Sequence, residues 1–185
     1  MKSYSLKYRL LTLVLVTFIS LSTSYLLPQE KHYFISSNLL KKGTPAPYFE
    51  APNLDGKLVK FSDYRGKLVL LDWWYVGCKP CVKSMIDIQK IQDELGSDSF
   101  TIIGMNPISK SRAIKRFKRK FNYNHEVLLP SKTFKDAYKI RAYPTIYLIG
   151  KNGRIVYARA GYSPEFANEL KTVIKQQLRN SPDIK

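Results

Sequence analysis

A chain of 185 residues has room for one globular domain and a leader, not for two full domains. A hydrophobic share of 44% with 13% aromatic residues is enough for a packed core and excludes wholesale disorder. The 31 Lys and Arg against 14 Asp and Glu, a net charge of +17, favour acidic partners, anionic membranes or nucleic acid; the 2 cysteines exclude a disulfide framework and a four-thiolate zinc site.

Lys2, Lys7 and Arg9 precede an apolar run from Leu10 to Leu21, the basic and apolar regions of an export signal. Ser22 to Ser24 offer small residues for cleavage without an Ala-x-Ala pattern. Counted on to Leu27, the apolar stretch reaches about 18 residues, long enough for an uncleaved anchor. Signal peptide and membrane anchor both stand for residues 1–27. Residues 28–42 are polar, lack periodicity and read as a tether, which leaves 43–180 for the domain.

That domain opens on the breaker cluster Gly43-Thr44-Pro45-Ala46-Pro47. The turn Asn53-Leu54-Asp55-Gly56-Lys57 predicts a small hairpin between extended pieces at Phe49 and at Leu58-Val59. Leu68 to Leu71 is a continuous apolar run, as expected of a central strand buried on both faces. Beyond Pro80, Met85, Ile88, Ile91 and Leu95 recur at helical spacing until Gly96 ends them.

Phe100 to Met105 predicts the next strand. Ser111 to Phe121 predicts an amphipathic helix with Ile114, Phe117 and Phe121 on its inner face. A short strand at Val127–Leu129, a short helix at Thr133–Lys139 and a strand at Thr145–Ile149 follow. Asn152-Gly153 turns this strand into a partner at Ile155–Arg159. The last helix is expected to open at Ser163-Pro164-Glu165 and to bury Phe166, Leu170, Val173, Ile174 and Leu178. Strands alternating with helices, then a hairpin and a helix, predict an α/β domain with helices on the faces of its sheet.

The two cysteines stand in Cys78-Lys79-Pro80-Cys81, between the predicted central strand and a helix start. Thiol–disulfide exchange needs one thiolate to attack and a second sulfur close enough to resolve the mixed disulfide. The free N–H groups and positive end of a helix lower the pKa of the first cysteine, and Pro80 loses no hydrogen bond in the first turn. Cys78 is therefore expected as a partly exposed nucleophile and Cys81 as the more buried resolving thiol. A zinc site would lack ligands, since the only histidines are His32 and His125, and a static disulfide closing so short a loop adds little stability. No cofactor and no metal are expected.

The segment Leu71-Asp72-Trp73-Trp74-Tyr75-Val76-Gly77-Cys78-Lys79-Pro80-Cys81 resembles the active-site segment of the thioredoxin superfamily. The opening Gly43–Pro47 cluster, the Leu54–Lys57 turn, Tyr143-Pro144-Thr145 and Gly150 to Val156 resemble its TlpA/ResA-like branch of exported, often membrane-tethered thiol–disulfide oxidoreductases. The resemblance spans about Gly43 to Leu178. It implies a thioredoxin-like fold with a central mixed sheet, protein thiols or disulfides as substrates, a membrane electron donor and an extracytoplasmic or periplasmic location. It also implies that Pro144 is a cis-proline holding the Tyr143 backbone where a substrate strand can pair, with Trp74 beside the substrate.

Thioredoxins proper carry a buried Asp where this chain has Asp72, six residues before Cys78. A desolvated carboxylate there has a raised pKa and can take the proton of Cys81. The TlpA/ResA pattern commonly has Glu three residues after the second cysteine, and this chain has Ser84, so the acid is expected to be Asp72.

Asp72 to Cys78 lacks the Pro-x-x-x-Thr-x-x-Cys context of a peroxiredoxin, and the cysteine spacing is one residue short for a copper chaperone of the SCO type. Lys110, Arg112, Lys115, Arg116, Lys118, Arg119 and Lys120 raise a different class of function, a binding module for an anionic membrane or an acidic partner on a non-catalytic scaffold. Export argues against nucleic acid, and an ordinary solvated helix face also fits this run.

Overall fold

The computed structural model describes residues 38–180, so the expected leader and the start of the tether lie outside the described residues. Strand β3 (Val69–Trp73) is buried along its whole length, which is why its sequence shows no polar alternation. It is the middle of a five-stranded sheet ordered β5-β4-β3-β6-β7. There β4 (Thr101–Met105) pairs in parallel with β3 and with β5 (Glu126–Leu128), whereas β6 (Thr145–Ile149) is antiparallel to β3 and to β7 (Ile155–Ala160). The sheet is mixed, as expected.

One face carries helices α1 (Lys79–Leu95) and α4 (Phe166–Arg179). Leu68, Leu70, Ile102, Ile146 and Leu148 of this face pack with Ile88 and Ile91 of α1 and Phe166, Leu170 and Ile174 of α4. The other face gathers Leu71, Trp73, Ile103, Met105, Tyr147 and Ile149 under Phe49, Val59 and Tyr138. It is covered by the hairpin β1–β2 (Glu50–Pro52, Leu58–Lys60), a 3-10 turn at Phe61–Tyr64 and Phe134 of α3 (Lys132–Ala137). Leu39 and Leu40 also reach this core, and the Leu40 N–H donates to the Tyr147 hydroxyl at 3.1 Å. Packed structure thus begins before Gly43. Among the described residues no helix is long and apolar enough to cross a membrane.

Four local expectations need correction. Phe121 ends α2 (Ser111–Phe121) with 47% of its surface exposed, while Ile114 and Phe117 are buried; the last turn passes the edge of what α2 covers, and Asn122 follows with a left-handed φ of 50°. Helix α4 begins at Phe166 with Glu165 as its cap residue, because the Ser163 hydroxyl is engaged with the Glu165 carboxylate and the Arg159 guanidinium. Val173 and Leu178 are only partly buried on α4. The short helix runs from Lys132 to Ala137, capped by the Ser131 hydroxyl, which accepts the Phe134 N–H.

Candidate active site

Strand β3 delivers the chain to Gly77, whose φ of 99° lies in the region that glycine adopts without steric cost, and the chain then turns into α1 at Cys78. Cys78 is the cap residue of α1, and its sulfur accepts the Cys81 N–H at 3.2 Å. Pro80 occupies the first turn, where its missing N–H would have had no partner. The two sulfurs are joined at 1.98 Å, with Cα atoms 5.3 Å apart. Cys78 is 3% exposed and Cys81 1%, so the expected partial exposure of Cys78 does not hold in this disulfide form. Cys78 belongs to a buried cluster with Trp74 and Met85, against which Tyr143 packs.

Tyr143 and Pro144 stand together at the start of β6, and the peptide bond between them is cis. The Pro144 carbonyl accepts the Gly161 N–H at 2.7 Å, which ties this turn to the end of β7. Trp74 is fully buried, with its ring 4.6 Å from Phe117 and 5.7 Å from Tyr123. The side chain expected beside a substrate is thus buried in one cluster with Cys78 and Cys81. The exposed aromatic is its neighbour Tyr75, whose ring meets Tyr143 edge-on at 5.4 Å.

Asp72 is 1% exposed, and neither carboxyl oxygen has a hydrogen-bond partner among the described residues. Burial pushes its carboxyl up to about 8, because the charged form has lost water and gained nothing in return. Strand alternation puts Asp72 on the same face as Leu70, which packs against Ile88, and one strand step nearer the cysteine end of α1. The fully buried Ser84 lies one helical turn before Ile88, and its hydroxyl donates to the Cys81 carbonyl at 2.9 Å. The Ser84 hydroxyl is thus engaged on the backbone, and Asp72 is a buried carboxyl on the face of the sheet that carries α1.

The pleat also pairs Asp72 with Gly104 across β3 and β4. A side-chain carbon at Gly104 would meet Trp74 Nε1 at 2.8 Å and the Tyr123 hydroxyl at 2.9 Å. Both of these atoms are buried without hydrogen-bond partners among the described residues, and the Tyr123 hydroxyl is held well above its ordinary pKa by burial and by the Asp72 charge. Trp74 and Tyr123 thus converge on the space that Gly104, the strand partner of Asp72, leaves. Sequence reasoning missed Gly104 and Tyr123, although a glycine inside the apolar run of β4 signals a close approach. It also missed Ser109, whose hydroxyl accepts the Val76 N–H at 2.9 Å and fastens the motif loop to the turn before α2. Gly104→Ala is expected to destabilise the fold by about 1–3 kcal/mol through overpacking. Urea denaturation measures this, and an unchanged midpoint would remove the close approach.

Residues 42–158 match the model of the AhpC/TSA family. "Thioredoxin-like protein YneN" of Bacillus subtilis is 29% identical over 148 residues, covering 78% of this chain and 81% of that protein. "Thiol-disulfide oxidoreductase ResA" of the same organism is 28% identical over 133 residues, covering 71% and 74%. The crystal structure of a putative thiol:disulfide interchange protein DsbE from Chlorobium tepidum superposes with a TM-score of 0.68 at 28% identity, covering 75% of this chain and 99% of that one. The fold is thioredoxin-like, and the resemblance to the TlpA/ResA-like branch holds.

Proposed function

The chain belongs to the AhpC/TSA family and is a thiol–disulfide oxidoreductase, and we propose that it reduces disulfides of protein substrates on the extracytoplasmic side of a membrane. In this cycle the Cys78 thiolate attacks a substrate disulfide, forming a Cys78–substrate disulfide and releasing one substrate thiolate. Cys81 passes its proton to the Asp72 carboxylate and attacks the Cys78 sulfur. The second substrate thiolate leaves, and the Cys78–Cys81 disulfide forms. Two electrons have then passed to the substrate, and a dithiol donor at the membrane returns them. Tyr143 and Pro144 hold the backbone edge on which the substrate segment lies.

What supports the reducing direction is how few donors stand at the Cys78 sulfur in the disulfide form. Among the described residues it accepts one N–H, from Cys81, and no side-chain donor, while the carboxyl on the same side of the sheet carries no compensating cation. A strong oxidant depends on a well-stabilised reduced thiolate, and this site offers little beyond the helix end. Equilibration with a dithiothreitol buffer is therefore expected to give a midpoint nearer about −270 mV than about −120 mV. A midpoint at the oxidising end would overturn the direction.

Export is supported by Lys2, Lys7, Arg9 and the run from Leu10 to Leu27. Cell fractionation is expected to place the protein with membranes or outside the cytoplasm; full-length protein free in the cytoplasm would overturn the location.

A further inference from the structure

The reactive loop and helix α2 are one construction. The Val76 N–H is held by the Ser109 hydroxyl at 2.9 Å, and the Asn106 side chain accepts the Ser109 N–H at 2.9 Å, so a single turn leads from the motif loop to the start of α2. Asn106 is itself buried and donates its backbone N–H to the Leu128 carbonyl, which seats the turn on β5. Ile108, in this turn, is 57% exposed.

From there α2 carries its apolar stripe, Ile114 and Phe117, inward onto Trp74. At 100° per residue, Arg112 and Arg119 fall opposite that stripe and Arg116 about 50° to one side, and all three are exposed. Between Lys110 and Lys120 there is no acid. Elsewhere some cations are paired, Lys171 with Glu94, Arg159 with Glu169, and Lys132 and Arg141 with Asp136, and others such as Lys79, Lys83 and Lys90 are unpaired among the described residues; what sets α2 apart is seven cations within eleven residues. On α2 only Lys115 has such a partner, the exposed Asp55 at 3.1 Å, and the three arginines have no hydrogen-bond or ionic partner among the described residues.

We propose that the outer face of α2 is a docking site for the protein substrate and selects disulfides flanked by an acidic segment. This rests on the disulfide-exchange reading and names its substrate class. An α2 of 11 residues is about 16 Å long, so an extended substrate seated at Cys78 reaches the arginines with side chains roughly three to eight residues from its own cysteine. An anionic membrane is the weaker occupant. The stripe of Ile114 and Phe117 is already used inside the domain and cannot enter lipid, and a bilayer laid along α2 would crowd the loop that a substrate must reach.

The test uses the full-length reduced protein and three disulfide peptides that differ only in acidic, neutral or basic flanks, with a small aromatic disulfide as a fourth substrate. The wild type is expected to show kcat/KM about 10-fold higher for the acidic than for the neutral peptide at low salt, with the gap closing in 0.5 M salt, roughly four-ångström screening. The triple variant R112E/R116E/R119E is expected to reverse the preference, and R112Q/R116Q/R119Q to abolish it, both reducing the small disulfide at the wild-type rate. That unchanged rate shows the variants to be folded and separates this proposal from the redox reading, which fails only if the wild type reduces no disulfide at all. Equal rates for the three peptides would overturn the docking site. So would suppression of the acidic-peptide rate by phosphatidylglycerol vesicles, but not by phosphatidylcholine vesicles, to the level of the glutamate variant, since the face would then be a lipid site.

Discussion

A Cys78→Ser variant is expected to lose disulfide reduction by about three orders of magnitude or more, whereas Cys81→Ser keeps the first attack and accumulates a stable mixed disulfide. The difference follows from where the two sulfurs sit. Cys78 caps α1, receives the Cys81 N–H, and is flanked by the exposed Gly77 and Lys79. Cys81 lies one turn inside α1, in the same stretch as the buried Ser84 and Met85, and is 1% exposed against 3% for Cys78. Reduction breaks the bond between them and leaves Cys78 as the thiolate that the helix end stabilises. Intact-mass analysis after mixing Cys81→Ser with a peptide disulfide should show one added peptide per chain. Alkylation at mildly acidic pH is a second check: if Cys81 is modified before Cys78, the roles are reversed.

The second large effect is expected at Asp72. Its folded carboxyl sits at about 8, above the ordinary aspartate value, because burial penalises the charge. The unfolded chain ionises near pH 4 and the folded one does not, so between those values the unfolded state binds fewer protons. Stability is therefore full below about pH 4, falls as the pH rises, and levels off above about pH 8. The span of about four on the pH scale, at about 1.36 kcal/mol each, caps the loss near 6 kcal/mol. Asp72→Asn leaves a buried amide that also lacks partners, which brings the expected gain to about 2–3 kcal/mol at pH 9 and none at pH 4. Guanidinium melts of the disulfide form at the two pH values measure it, and a gain that does not grow with pH would refute the buried neutral acid.

The same variant should leave the attack by Cys78 nearly intact and slow resolution by about 10²-fold, since Cys81 then lacks its proton acceptor. In the wild type the resolution rate is expected to rise with pH as the Asp72 carboxyl, pushed up to about 8 by burial, ionises and becomes able to accept the proton. Stopped-flow traces with a peptide disulfide separate the two steps. A structural role alone would alter stability and leave this pH profile in place.

Much of this protein is legible from sequence because the relevant physics is local. A fully apolar Leu68–Leu71 run implies a strand covered on both faces, a Cys-x-Pro-Cys between that strand and a helical stripe implies a thiolate at a helix start, and Gly96 marks where the helix stops. The burial of Asp72 was expected by resemblance, but its lack of any partner depends on the β3–β4 register that sets it beside Gly104, 32 residues away in sequence. Trp74 could be placed near the motif but not inside the protein, since only the seating of α2 and Tyr123 over its ring decides that. Phe121 follows the helical period and is still exposed, and Ser163 has the chemistry of a cap and is engaged by Glu165 and Arg159 instead. Periodicity and motif spacing describe what each segment can do within its own few turns. Which polar groups are left without partners, and which stripe finds a surface to cover it, are set by contacts between segments far apart in the chain, and those exist only once the sheet has chosen its register.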